Sequence, residues 1–209
     1  MTLSELPLRE RKKLRTRAAL VEAALRLFGD KGFDATTLDE VVGAVEVSKR
    51  TFFRMFTSKE DVALAPEKEL WAVYVRHIEE CPLDGPALAV YQRALFVALA
   101  EMEPGWEPRF VASRRLAEGT QALVAHSLEH CAGVTATVLD TLARRLGPDG
   151  PRPLELVLPL EVMLAAWRWA MKEWAEAAEP PTREALRTRV EAAFAAVPAS
   201  LDLEFRTRS

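Results

Sequence analysis

The sequence predicts an all-α protein of about nine helices. Three observations carry this. Ala, Leu, Glu and Arg, all strong helix formers, dominate the chain. No stretch alternates apolar and polar residues for long enough to suggest a sheet. Gly and Pro are sparse and cluster between segments of helical periodicity.

The first helix is expected from about Leu8 to Asp30. Leu14, Ala18, Val21, Leu25 and Phe28 alternate spacings of four and three, so they share one face. Gly32 is a natural stop. The second helix starts at Thr37, where Thr37 and Glu40 form a capping box: a hydroxyl three residues before a Glu satisfies two orphan backbone donors. Leu38, Val41, Val42 and Val45 give it an apolar face. The third starts at Ser48 and offers Phe52 and Phe56 to a core. Ser58 caps a fourth, with Asp61 at the capping-box position. Three short helices around one core, with a fourth leaving it, make a helix-turn-helix domain over residues 1–60.

Residues 61–209 form a second helical domain. Cys81-Pro82-Leu83-Asp84-Gly85-Pro86 breaks the chain, and Pro86 suits a helix opening. The helix from about Pro86 to Met102 is apolar almost all round, as in a buried central helix. Helices follow over about Glu107–Glu118 and Gln121–Leu146, the latter with a stripe of Val124, Leu128, Cys131, Thr135, Val138 and Leu142. Gly147-Pro148-Asp149-Gly150-Pro151 is the clearest loop. A helix ending near Ala178 and a last one from Thr182 to Val197 complete the chain, with a frayed tail after Pro198. In the penultimate helix Leu156, Leu160, Met163, Trp167, Ala170 and Trp174 repeat like a heptad. With Leu186, Val190, Ala193, Phe194 and Val197 of the last helix, they suggest a four-helix homodimer interface, two helices from each subunit, against the plainer reading that both helices cap the monomer core.

Composition excludes several classes. The formal net charge of −3 argues against a generally basic nucleic-acid coat. Its distribution matters more: 12 Lys+Arg face 10 Asp+Glu through Asp61, and 16 face 21 beyond it. Arg9, Arg11, Lys12, Lys13, Arg15 and Arg17 are packed together against Glu10. A small basic end on an acidic body suits contact with phosphate at one end. Cys81 and Cys131 lack metal or redox spacing, which suggests a reducing cytoplasm and no disulfide framework. No apolar run follows the basic N-terminus, and no window resembles a membrane span. No cofactor is expected.

The most informative stretch is residues 36–62. Its third helix opens with Ser48-Lys49-Arg50-Thr51. A helix N-terminus carries partial positive charge, so each cation there loses roughly 0.3–1 kcal/mol. An external anion would compensate, and double-stranded DNA is the natural one. Arg50 can bond guanine through two donors, and Thr51 can meet a thymine methyl.

These residues resemble the tetracycline-repressor (TetR) family of bacterial transcriptional regulators. The resemblance covers about residues 12–62. It rests on Leu27-Phe28-Gly29-Asp30-Lys31-Gly32-Phe33, on Thr36-Thr37, on Val47 through Phe56 and on Ser58-Lys59-Glu60-Asp61-Val62. It implies a homodimeric repressor of a near-palindromic operator, released when a small-molecule effector binds the C-terminal domain. It also implies DNA contacts at Thr37, Ser48, Lys49, Arg50, Thr51, Phe53, Arg54 and Lys59, the last to phosphate. Glu46 stands where the family's turn commonly has Gly, and a non-Gly residue at positive φ costs roughly 1–2 kcal/mol. Phe53 replaces a common Tyr, which removes a hydroxyl that could bond phosphate. Met55 stands where an aromatic or His is usual.

Phe96, Met102, Trp106, Phe110, His126, Met163 and Trp167 are candidates to line the effector pocket, against the plainer reading that each is ordinary core. The effector would then be largely hydrophobic. His126-Ser127-Leu128-Glu129-His130 also matches the H-x-x-E-H zinc-protease pattern. The alternative is therefore a helical zinc hydrolase using His126, Glu129 and His130. Five residues are a short motif, and the α/β surroundings of such enzymes are missing, so no metal or catalytic residue is expected.

Overall fold

The structure, a computed structural model, describes residues 7–205 as ten α-helices: α1 (Leu8–Lys31), α2 (Leu38–Ala44), α3 (Lys49–Phe53), α4 (Lys59–Ala63), α5 (Ala65–Glu80), α6 (Ala87–Glu101), α7 (Trp106–Glu118), α8 (Gln121–Leu146), α9 (Pro153–Glu176) and α10 (Arg183–Leu201). Among the described residues there is no strand, and no helix is long and apolar enough to cross a membrane. The helix beyond the expected nine comes from a break at Leu64, whose φ of −96° and ψ of 8° end α4. Pro66 follows in the first turn of α5, where a missing N–H costs nothing.

The helices form two compact units. One holds the described residues up to Glu69 together with Pro108–His130; the other holds Leu70–Glu107 and the described residues from Cys131 on. The sequence instead suggests a single division near residue 60.

In the first unit, capping side chains set the helix starts. Thr37 and Glu40 close the expected box: the Thr37 hydroxyl accepts from the Glu40 N–H at 3.3 Å, and the Glu40 carboxylate accepts from the Thr37 N–H at 2.8 Å. Ser48 accepts from the Thr51 N–H and Ser58 from the Asp61 N–H. Each such cap contributes about 1 kcal/mol. Asp61 does not reach back to residue 58. Its carboxylate takes the Thr57 N–H and hydroxyl instead, at 2.8 and 3.1 Å. The helices so placed bury Leu20, Ala24, Phe28, Phe33, Val41, Phe52, Phe56 and Val62 around one centre. Burying a side chain of Phe size stabilises by roughly 1.5–3 kcal/mol, so Phe52→Ala alone would threaten the domain. Leu116, Ala117 and Leu123, from α7 and α8, pack on the same cluster. That packing is why part of the expected second domain belongs here.

α8 differs from its expected face in its first half. Leu123 and Ser127 are buried there, while Val124 and Leu128 are exposed. The buried Ser127 hydroxyl donates to the Glu67 carboxylate at 3.1 Å, a polar attachment that apolar periodicity does not register. The second half buries Val138 and Leu142 as expected.

In the second unit α9 packs on α6 and α10. α6 buries Val90, Tyr91, Ala94, Leu95, Ala98 and Leu99, and the Tyr91 hydroxyl donates to the Leu156 carbonyl at 3.0 Å. Val97 stays exposed, so α6 is not covered all round. The heptad-like stripe of α9 needs correction as an interface. Leu156, Leu160, Met163, Trp167, Ala170 and Trp174 are all buried within this one chain, as are Leu186, Val190 and Phe194 of α10. The apolar surface left uncovered is the opposite side of α9, with Leu158, Val162, Ala165 and Trp169 each about one turn apart. α10 also runs through Pro198 to Leu201 rather than fraying there.

Candidate nucleic-acid interface

The candidate reading element is α3, set by a tight turn from α2. Glu46 makes that turn at φ 56°, the one positive-φ non-glycine among the described residues. The Val47 N–H returns to the Val42 carbonyl at 3.0 Å. The backbone thus adopts the conformation a glycine would hold at lower cost, at roughly 1–2 kcal/mol of strain.

Along α3 the side chains divide by whether the protein already occupies them. Ser48 and Thr51 join hydroxyls at 3.1 Å, at the helix start. Lys49 pairs with Asp39 of α2 at 2.8 Å, so one of the two cations at this helix N-terminus is compensated from within. The Arg50 and Arg54 guanidiniums are exposed and carry no hydrogen bond or ion pair within the described residues. Phe53 is exposed too, its ring edge-on to the buried Phe52 at 5.5 Å. Two free guanidiniums and an exposed ring on one short helix can offer donor forks and apolar contact to base edges.

Outside α3, two more predicted DNA contacts are engaged within the protein. Thr37 gives its hydroxyl to Glu40 of its own helix at 3.0 Å. The Lys31 ammonium, and then the Thr37 N–H and hydroxyl of that box, hold the Glu40 carboxyl down at about 2 from its ordinary 4.5. Lys59 donates to the carbonyls of Phe33 and Thr36 at 2.7 and 3.1 Å, with its ammonium 4.2 Å from the Phe33 ring centre. It therefore ties α4 to the loop before α2. One of its three N–H donors is still free for phosphate.

The candidate pocket residues are divided between the two units. Phe96, Met102, Trp106, Met163 and Trp167 lie in the second unit, and Phe110 and His126 in the first. Trp106 stacks on Trp174, with ring centres 6.3 Å apart, and Phe96 is half-buried beneath the Arg187 guanidinium. A cleft of about 380 Å³ between α9 and α10 and one of about 120 Å³ beside Tyr91 are lined by none of the five. Sequence reading missed Trp71 and Tyr74, one turn apart on α5. Both are buried, edge-to-face at 5.4 Å, and neither the Trp71 indole N–H nor the Tyr74 hydroxyl meets an acceptor among the described residues. Burial, reinforced by Tyr91 and Cys81, pushes the Tyr74 hydroxyl well above its usual range, so it remains a donor. Their i, i+3 spacing was the available signal.

Of the H-x-x-E-H residues, His126 joins a polar network of the first unit, and His130 Nε2 is buried without a hydrogen-bond partner among the described residues. The Lys68 ammonium lies 2.6 Å from Asp61 and 3.1 Å from His126 Nε2. A lysine only donates, so His126 offers a lone pair to it and not to a metal. Burial, and then the Lys68 charge, lower the His130 pKa and keep it neutral. Glu67, buried, receives Ser127 and Arg114. Among the described residues no three His, Cys, Asp or Glu side chains are grouped to hold a metal ion.

Residues 20–65 match the family model described as bacterial regulatory proteins, tetR family. The chain is 36% identical over 172 residues to the HTH-type transcriptional regulator TcmR of Streptomyces glaucescens, covering 80% of this chain and 76% of that protein. Among solved structures, a transcriptional regulator from Aquifex aeolicus VF5 superposes with a TM-score of 0.55 at 16% identity, over 87% of this chain and 99% of that one. A protein from Pseudomonas aeruginosa PAO1 described as a transcriptional regulator gives 0.52 at 21% identity, over 99% of each chain. The two structures share the all-helical fold.

Proposed function

Because this chain belongs to the TetR family of DNA-binding transcriptional regulators and is not an enzyme, we propose that it is a homodimeric cytoplasmic repressor. It holds a near-palindromic operator until a small, largely apolar effector releases it. The observation that carries the DNA half is α3 itself: Arg50 and Arg54 are free and exposed while Lys31, Lys49 and Lys68 of the same unit are paired. In this reading Arg50, Thr51 and Phe53 meet base edges, while Thr37, Ser48, Lys49, Arg54 and Lys59 meet the backbone.

In this reading dimerisation uses α9 and α10 through their outer faces. Trp169 is half-exposed, and with Val162, Ala165, Ala193, Ala196 and Leu201 it edges the apolar 380 Å³ cleft. An exposed Trp on an apolar patch favours association. Two helices from each subunit would then close a four-helix interface. The effector reading rests on the second unit. Trp71 and Tyr74 are buried donors without an acceptor, an arrangement that costs about 1–3 kcal/mol per group unless something accepts. A carbonyl or ether oxygen on an apolar molecule would do so.

Sequencing the genomic fragments retained by the purified protein tests the central claim. A recurrent near-palindrome is expected, bound with a log–log salt slope of about −5 to −9 for roughly 6–10 phosphate contacts per dimer. Retention of random fragments with a slope near zero would remove the DNA reading altogether.

A further inference from the structure

We propose that the opening turns of α1 form the second jaw of a phosphate clamp, gripping the DNA backbone beside the groove that α3 reads. The inference rests on the DNA-binding reading and adds a binding surface outside the helix-turn-helix.

Arg9, Lys12, Lys13 and Thr16 are spaced i, i+3, i+4 and i+7, which puts them on one face of α1. That face looks into a cleft of about 620 Å³ whose other wall includes Thr51 and Arg54 of the recognition segment. Four cations therefore line the cleft, and Glu10 is its one carboxylate. Arg9, Lys12, Lys13 and Arg54 are all exposed and unpaired within the described residues. Several other cations of the same unit are used by the protein. Arg17 meets Glu69, Lys31 meets Glu40, Lys49 meets Asp39, Lys59 meets two carbonyls and Lys68 meets Asp61. Cations that repel one another across a shared cleft need an anion between them, and the protein supplies only Glu10.

The occupant follows from place and chemistry. The cleft shares Thr51 and Arg54 with the helix proposed to enter the major groove, so a phosphodiester strand bordering that groove passes along it. Aliphatic and point-charge contacts here carry position rather than sequence. Val47 and Met55 at the cleft floor offer no fixed donor set that would read a base.

The test measures the full-length dimer on a random-sequence duplex and on the retained genomic fragments, by fluorescence anisotropy across a salt series. The double variant Lys12→Gln/Lys13→Gln should bind both DNAs roughly tenfold more weakly or worse, with a slope shallower by about one for each phosphate it no longer neutralises. Its preferred sequence should not change. Glu10→Gln should act oppositely and tighten both. Arg26→Gln, on an exposed cation of α1 outside the cleft, should leave both unchanged. All the substituted positions are exposed, so melting temperatures should match the wild type and folding does not confound the comparison. If Lys12→Gln/Lys13→Gln and Glu10→Gln bind like the wild type, or the double variant alters base preference, the clamp is wrong while the repressor reading stands. If the wild type itself fails to bind either duplex, the repressor reading fails first.

Discussion

α3 and the pair α9–α10 are built by different physics. α3 is five residues long and would not hold together alone. Its position is dictated by neighbours in sequence: the Ser48 cap, the Glu46 turn, and Phe52 and Phe56 pulling one side inward. The side facing away is left with Arg50, Phe53 and Arg54. α9 and α10 are 24 and 19 residues long, and both sides of α9 are apolar. Which side meets its own chain is decided by partners far away in sequence, on α5, α6 and α10. A short helix with local instructions shows legibly which side chains it leaves free. A long helix with two apolar faces hides which one is free.

The sharpest way to break this comparison is to put a charge on each face of α9. Trp167 is packed edge-to-face on Trp71 at 5.8 Å and is almost fully buried. Even Trp167→Ala should cost about 3–5 kcal/mol, and Trp167→Asp should yield little folded protein. Trp169→Asp should leave the far-ultraviolet dichroism and the monomer fold intact. It should halve the mass seen in sedimentation and weaken operator binding with it. A Trp169→Asp protein that stays dimeric would return the interface to some other surface.

The next effect separates two cations of the first unit. Arg50→Ala removes a free guanidinium and should cost about 1–3 kcal/mol on the correct operator, relaxing preference at one base pair. Lys59→Ala should weaken specific and non-specific binding alike. It should also lower the melting temperature, because the Phe33 and Thr36 carbonyls would be without their donor. Binding profiles across an operator library, beside melting curves, decide this. A changed sequence preference in Lys59→Ala with a uniform loss in Arg50→Ala would reverse the two roles.

These cases show where sequence reasoning runs out. The capping box at Thr37, the cap at Ser48 and the strained Glu46 are legible because each involves residues within a few positions of one another. Ser127 on Glu67 and Lys59 on two carbonyls are not, because they join residues 60 and about 25 positions apart. The apolar repeat of α9 correctly announces a buried stripe but carries no label for the partner. Trp71 and Tyr74 escape notice for a related reason: an aromatic pair on a helix looks like core until its donors are seen to lack acceptors. The family resemblance helps least there, since its motifs lie between residues 12 and 62.

A smaller test bears on the local instructions themselves. Glu46→Gly should stabilise the protein by about 0.5–1 kcal/mol. It relieves roughly 1–2 kcal/mol of left-handed strain and gives part back as unfolded-state entropy. Chemical denaturation reads this directly, and a destabilised Glu46→Gly would mean that the turn is not strained.

The smallest expected effect is a pH dependence in the Thr37–Glu40 box. The Glu40 carboxyl falls from its ordinary 4.5 to about 2 in the folded protein, first through its bond with Lys31 and then through the Thr37 N–H and hydroxyl. A depressed carboxyl contributes stability that is fully present above the unfolded value and lost as pH falls through the folded one. The contribution should therefore disappear between about pH 4.5 and 2. Glu40→Gln keeps a side-chain oxygen for the Thr37 N–H but cannot titrate or pair with Lys31. Its stability difference from the wild type should be constant above pH 5 and shrink on acidification through that window. Because the pair is at the surface, added salt should narrow the difference as well. A difference that persists unchanged to pH 2 would mean that the box works through hydrogen bonding alone, with no charge on Glu40 required.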